Sequence, residues 1–134
     1  MATQEVGWAP ANPWFKPGFK NKEEVMVDEI PIFILPFEYF LATKFTAFKD
    51  RGGKDPRASH DYEDIVYLLN YSSRIKEQIF KAEKDVQIFL KTAFLEIINS
   101  DIMQEAIIGN LYYENQMVRF NKIIHELKEI AKGV

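Results

Sequence analysis

Cysteine is absent from this 134-residue sequence. That excludes disulfides, thiolate metal sites and a cysteine nucleophile, and it fits a reducing, cytoplasmic compartment. Histidine is scarce as well. His60 and His125 each lack a second histidine at ligand spacing, which argues against zinc. The run Ser59-His60-Asp61 is not a hydrolase triad, because consecutive helical residues point in different directions and triads are assembled in space. No apolar stretch reaches the ~18 residues of a membrane span, and the opening "MATQEVGWAP" lacks the basic and apolar regions of a signal peptide. The formal charge is only −3, so no bulk field draws the chain to nucleic acid or membrane. Internal repeats and low-complexity stretches are missing too.

What is present is apolar and aromatic. Hydrophobic residues make up 47% and aromatics 14%, enough for a globular core and too many for a disordered chain. The length predicts one domain, 1–134. Residues 1–22 form a proline-rich aromatic arm, "WAPANPWFKPGFKN", in which Pro10, Pro13 and Pro17 forbid a regular helix and Gly18 favours a turn. Trp8, Trp14, Phe15 and Phe19 are there to pin it. "EEVMV" and "IPIFIL" then predict a β-hairpin turning at Asp28-Glu29, with Pro31 at a sheet edge. A lone hairpin is marginal in water, so it needs a sheet or the helices as a partner.

From Pro36, placed in the first turn of a helix, the pattern becomes helical. The first helix runs to about Asp50 and stops at Gly52-Gly53, with Phe37, Phe40, Leu41, Phe45 and Phe48 on its apolar face. Ser59 caps a second, rich in early carboxylates where the helix dipole favours them, which ends at Tyr71-Ser72-Ser73. A long helix over roughly 74–99 carries a stripe from Ile75 through Ile79, Ala82, Val86, Phe89 and Ala93 to Ile97. Asp101 and Gln104 are spaced as a capping pair for a short helix that breaks at Gly109-Asn110. The last helix shows Met117, Phe120, Ile124, Leu127 and Ala131 along one side. The expected fold is α+β and mostly helical: a short N-terminal hairpin followed by a bundle of four to five helices. Its parts are an arm plus hairpin (1–35), a two-helix motif (36–71) and a C-terminal helical bundle (72–134).

Chemistry gathers in the two-helix motif. Lys44 and Arg51 are seven residues apart, hence on one helix face about 10.5 Å apart along the axis. Both can reach one polyphosphate, lysine as a point charge and arginine as a fork. The same spacing also suits a plain solvated face. Asp61 and Asp64 lie three apart and face one way. Such a pair can bind magnesium or act as a base, or can cap the helix and pair with Arg57 or Lys54. "RGGKDPR" is basic but follows a helix and lacks Walker spacing. Arg51, Lys54 and Arg57 together also suit a nucleic-acid binder, which would show steep salt dependence.

Taken in order, "PFEYFLATKFTAFKDRG" followed by "ASHDYEDIVYLL" resembles the latter half of bacterial nucleotidyltransferases of the AbiEii/AbiGii toxin kind. In that family a K-x-x-A-x-x-x-R helix precedes a short loop and a D-x-x-D helix. Here those positions are Lys44, Ala47, Arg51, Asp61 and Asp64, and the flanking "EYFLATK" and "EDIVYLL" extend the likeness over about residues 30–70. The resemblance implies a polymerase-β-like nucleotidyltransferase fold, a toxin–antitoxin setting, and magnesium with a nucleoside triphosphate in an intact relative. It implies phosphate contacts from Lys44 and Arg51, with Asp61 and Asp64 orienting the lysine or facing the nucleotide.

The family's catalysis rests on a Gly-Ser turn, a D-x-D strand and a third carboxylate, since clustered carboxylates hold the magnesium ions. This chain has no Gly-Ser dipeptide and no D-x-D. Relatives run from the third-carboxylate strand into a "D-x-M-P-T" segment and a Trp- and Gly-bearing loop. Met1 is therefore expected just beyond the catalytic strand, through a misplaced start, a truncated gene or a split protein. No catalytic residue, metal ligand or cofactor is expected of this chain alone. The expected partners are a nucleotide, a second copy or the missing N-terminal half, without membrane and without nucleic acid. The alternative is a helical module for protein–protein interaction or dimerisation, using the Ile75–Ile98 stripe and the aromatic arm.

Overall fold

A computed structural model describes residues 12–51 and 55–134. The expectations for Trp8, Pro10, Gly52, Gly53 and Lys54 lie outside the described residues. Mostly helical α+β architecture is what the described residues form. A helix α1 (Phe15–Lys20) leads into strands β1 (Glu23–Val27) and β2 (Ile30–Ile34), then α2 (Phe37–Asp50) and a 3₁₀ turn (Pro56–Ala58). Helices α3 (His60–Tyr71), α4 (Ile75–Phe80), α5 (Lys84–Ile98) and α6 (Asp101–Gly109) follow, then a second 3₁₀ turn (Tyr113–Asn115) and α7 (Gln116–Gly133).

The arm departs from expectation because Pro17 is the third residue of α1. There its missing N–H is one of the donors that no helix satisfies internally. Gly18 is helical, not a turn. It is buried where a Cβ would come within 2.7 Å of Leu35 Cδ2 and 3.2 Å of Tyr39 Cβ, so glycine is what lets α1 approach α2. Trp14 does the pinning, its ring 5.0 Å from Phe89 and 6.4 Å from Tyr39. Phe15 and Phe19 are exposed and lie against each other instead.

The hairpin pairs Val27 with Ile30, Val25 with Ile32 and Glu23 with Ile34. Asp28 (φ 51°) and Glu29 (φ 66°) are both left-handed, as a two-residue hairpin turn matching the strand twist requires. Since pairs alternate from the turn, Pro31 opposite Met26 faces the outer edge, where its missing N–H breaks no bond of this ladder. All ten strand residues are exposed. One face carries Val25, Val27, Ile30, Ile32 and Ile34, and no other strand pairs with the hairpin among the described residues.

The helices share one core. Pro36 precedes α2 as its cap residue instead of occupying the first turn. Phe45 meets Phe94 of α5 edge-on at 6.0 Å, and Phe48 meets Tyr62 of α3 at 5.2 Å. Tyr62 is fully buried and donates its hydroxyl hydrogen to the Met103 carbonyl at 2.8 Å, tying α3 to α6. Phe40 turns outward, and Tyr39 takes the buried place.

Polar side chains explain the breaks that apolar periodicity does not show. The expected long helix is two, α4 and α5. Glu83 leaves the helix with ψ 153° and accepts the Tyr39 hydroxyl at 2.5 Å. Gln87 then donates to the Ile79 and Phe80 carbonyls at 2.8 and 3.0 Å, closing the end of α4. Ser100, not Asp101, caps α6 by accepting the Met103 N–H. Gln104 is no capping partner either; it reaches back to the Ile97 and Ile98 carbonyls. Gln116 does the same for Ile108. In each case a glutamine of the later helix supplies donors to carbonyls that a helix end leaves open. In α7 the buried line runs through Ile123, Leu127, Ile130 and Ala131, while Met117 in the first turn is exposed.

Candidate functional site

The four charged residues singled out in the sequence meet on adjoining faces of α2 and α3. Lys44 Nζ lies 2.9 Å from Asp64 Oδ2. Arg51 Nη1 lies 3.2 Å from both Asp61 oxygens. Moving seven residues along α2 moves three back along α3, so the helices run antiparallel. Ser59 sets this register: its hydroxyl accepts the Tyr62 N–H at 3.1 Å and starts α3 one residue before His60. Upstream, Asp55 accepts the Arg57 N–H and holds the 3₁₀ turn on buried Pro56. Phe48 and Tyr62, both buried, pack against each other between the same two helices.

The two pairs are unlike. The Asp61 side chain is 9% exposed while Arg51 is 68% exposed, whereas Lys44 and Asp64 are 26% and 51% exposed. Lys44 also lies over the Phe40 ring, 5.7 Å from its centre, which gives that outward phenylalanine something to do. Each cation retains donors: lysine has three in all and arginine five. Arg57 is held by Asp55 at 3.1 Å, so it does not join Arg51 in a basic patch.

Magnesium does not fit these residues. Asp61 and Asp64 each face a cation, and no group of three or more carboxylates or histidines is placed to hold a metal among the described residues. His60 faces Glu63 at 3.5 Å and His125 faces Glu129 at 3.2 Å, both at the surface. Among the described residues no helix is long and apolar enough to cross a membrane.

Sequence reasoning passed over a neighbouring cleft of about 410 Å³ that shares Asp64 with the ion pairs. Glu63, Tyr67, Asn70 and Tyr71 of α3 line it, with Asn110 and Tyr112 from beyond α6. The signal was there: Asp64, Tyr67 and Tyr71 recur at three and four, one helix face. The Tyr67 and Tyr71 rings stand 4.7 Å apart, and Arg119 lies over Tyr71 at 5.8 Å. Buried Tyr39 and Tyr62 are different: removal from water pushes both phenols well above their ordinary range, and in Tyr39 the Glu83 carboxylate adds to this.

No family model, curated protein or solved structure matches the chain.

Proposed function

We propose that this chain is the nucleotide-facing helical portion of a nucleotidyltransferase-like protein of the AbiEii/AbiGii kind, which does not transfer nucleotides by itself. The observation that carries the reading is the joining of both cations of the K-x-x-A-x-x-x-R helix to both carboxylates of the D-x-x-D helix, at 2.9 and 3.2 Å. The carboxylates hold the cation heads on one side, and the remaining donors of Lys44 and Arg51 contact the phosphates of a nucleoside triphosphate. Metal-binding acids must come from outside the described residues, since Asp61 and Asp64 face cations and no cluster of three metal-ligating side chains is found among the described residues. With the triphosphate charge mostly uncompensated, affinity is weak, with Kd on the order of 1 mM.

Two measurements test this. Titration with nucleoside triphosphates, followed by amide NMR, should shift the α2 and α3 signals around Lys44 and Asp61, and Lys44→Ala with Arg51→Ala should abolish the shift. Incubation with magnesium, labelled nucleoside triphosphates and bulk tRNA should give no incorporation; robust incorporation sinks the claim of incompetence.

A second reading, an interaction or dimerisation module, has one observation in its favour: the five-residue apolar face of the hairpin. The stripe from Ile75 to Ile98 gives it no support, because Ile75, Ile79, Val86, Ala93 and Ile97 are buried in the chain's own core and Ile98 packs against it. Light scattering separates the readings. A concentration-dependent dimer that Ile32→Thr dissolves favours the module, and a monomer at all concentrations removes it.

A further inference from the structure

The cleft beside the ion pairs has a chemistry of its own. Three tyrosine rings border it, two of them from one face of α3, and their exposures of 64% (Tyr67), 50% (Tyr71) and 75% (Tyr112) leave each of them accessible. Two amides, Asn70 and Asn110, line the same space. Their orientations are fixed by their partners. Arg119 Nη1 can only donate, and it donates to Asn70 Oδ1 at 3.1 Å, so Asn70 turns its NH₂ group the other way. Asn110 Nδ2 donates to the Ala106 carbonyl at 2.8 Å, which leaves its oxygen as the outward group. One amide therefore offers donors and the other an acceptor, and neither forms another hydrogen bond among the described residues.

Chemistry narrows the occupant. Glu63 and Asp64 line the cleft and no lysine or arginine does, so an anion is repelled. A purely apolar ligand would strip water from two amides and two carboxylates without replacing their hydrogen bonds. A small cation finds Asp64 already paired with Lys44 at 2.9 Å and the Tyr71 ring already covered by Arg119, which leaves Glu63 as the one lining carboxylate to hold it. A flat, neutral heterocycle with both donors and acceptors along its edge satisfies every group. Its faces stack on tyrosine, its edge meets the two amides, and an exocyclic amine reaches Glu63. The volume of about 410 Å³ lies at the small-ligand end of natural clefts, which span roughly 300–1,000 Å³.

We propose that this cleft is a nucleobase subsite, with Tyr67 and Tyr112 as stacking surfaces beside the Arg119-covered Tyr71, and Asn70 and Asn110 reading the base edge. It rests on the reading of Lys44 and Arg51 as phosphate contacts, since Asp64 belongs to both the cleft and the Lys44 pair. Phosphates then lie at the α2 side of α3, and the base lies toward Tyr71 and α6.

The test uses the whole chain and phosphate-free probes. Adenosine, guanosine, cytidine and uridine are titrated separately, following the side-chain NH₂ signals of Asn70 and Asn110 and the tyrosine ring signals by NMR. At least one nucleoside should shift these together. Tyr112→Leu and Tyr67→Leu, at exposed positions, should each weaken it about five- to tenfold, as expected for loss of a stacking ring. Tyr113→Leu, an exposed neighbour that does not line the cleft, should leave it within a factor of two, with far-UV circular dichroism confirming that every variant is folded. Absence of shifts with all four nucleosides overturns the subsite. So does tetramethylammonium shifting the same signals at lower concentration, which would make the cleft a cation site. Inorganic tripolyphosphate reports on Lys44 and Arg51 separately: if it binds and no nucleoside does, the phosphate reading stands and the base subsite alone has failed. If nucleosides bind and tripolyphosphate does not, the phosphate reading is the one that falls.

Discussion

Removing Arg51 should cost more stability than removing Lys44, although Arg51 is the more exposed cation. The reason lies in the partner each would abandon. Asp61 is 9% exposed, and Arg51 Nη1 reaches both of its oxygens at 3.2 Å. Without Arg51, the carboxylate keeps, among the described residues, the favourable field at the start of α3, worth ~0.3–1 kcal/mol. Leaving a buried polar group short of a partner costs about 1–3 kcal/mol, so Arg51→Ala should lose ~2 kcal/mol. Asp64 is 51% exposed and is rehydrated when Lys44 goes, so Lys44→Ala should lose less than ~1 kcal/mol, the range of surface pairs. Urea unfolding followed by circular dichroism resolves the two. With a slope of ~2 kcal/mol per molar, Arg51→Ala moves the midpoint by about 1 M and Lys44→Ala by less than half that. Double-mutant cycles should agree, with coupling of ~1–2 kcal/mol for Arg51–Asp61 and below ~0.5 kcal/mol for Lys44–Asp64. Equal losses, or a larger coupling for Lys44–Asp64, would refute the burial argument.

Glu38 and Glu129 should give opposite pH signatures. Burial holds the Glu38 carboxyl above its ordinary value of 4.5, partly offset by its hydrogen bond to its own backbone N–H, with Glu23 adding a smaller push upward. The unfolded chain then ionises first, so this residue's contribution turns unfavourable as pH rises past 4.5; Glu38→Gln should be more stable than the parent at pH 7 and equal to it at pH 3. The hydrogen bond from Lys76 holds Glu129 below 4.5. Its stabilisation is present above that pH and lost on acidification, so Glu129→Gln should be the less stable at pH 7, with the gap closing in acid. Glu29→Gly relieves a left-handed residue at φ 66° and should stabilise the hairpin by ~1 kcal/mol, seen as slower amide exchange at Val27 and Ile30. Thr46→Val removes a buried hydroxyl that has no partner among the described residues and should raise stability by up to ~1 kcal/mol, read from the thermal midpoint.

Apolar periodicity and turn chemistry were legible, because both are local. Ser59 caps the start of α3 through its hydroxyl, and the helix ends at Tyr71 with the Ser72 N–H closing its last turn, as the local pattern implies. Val25 to Ile34 pair about Asp28-Glu29 because alternation and a two-residue turn leave one register. Breaks set by tertiary partners were hidden. Nothing in "FKAEKDVQ" announces that Glu83 is drawn out by Tyr39, forty-four residues earlier, or that Gln87 will close the preceding helix. Gly18 was misread for a similar reason: its role is a close approach to Leu35 and Tyr39. In the site, spacing put Lys44 with Arg51 and Asp61 with Asp64 on shared faces, but it offered Arg57 or Lys54 as partners of the carboxylates; Arg57 is instead held by Asp55, and Arg51 takes Asp61. The cleft escaped notice because Asn110 and Tyr112 come from beyond α6, and Tyr67 and Tyr71 had only their spacing to recommend them.

The charge arrangement also constrains how a phosphate could be held. Two cations and two carboxylates sum to zero within the clasp, so no strong field draws an anion in from a distance. What the clasp offers is direction: lysine and arginine donors fixed by 2.9 and 3.2 Å contacts on one side, with the other side open. Binding built on oriented donors depends less on ionic strength than binding built on excess charge, which at 0.15 M salt is screened over about 8 Å. Raising salt from 50 to 200 mM should therefore weaken tripolyphosphate binding only about two- to threefold if it is held by these donors at close range. A collapse of a hundredfold or more over the same range would mean that scattered surface lysines, not the clasp, gather the anion, and the assignment of Lys44 and Arg51 would fall with it.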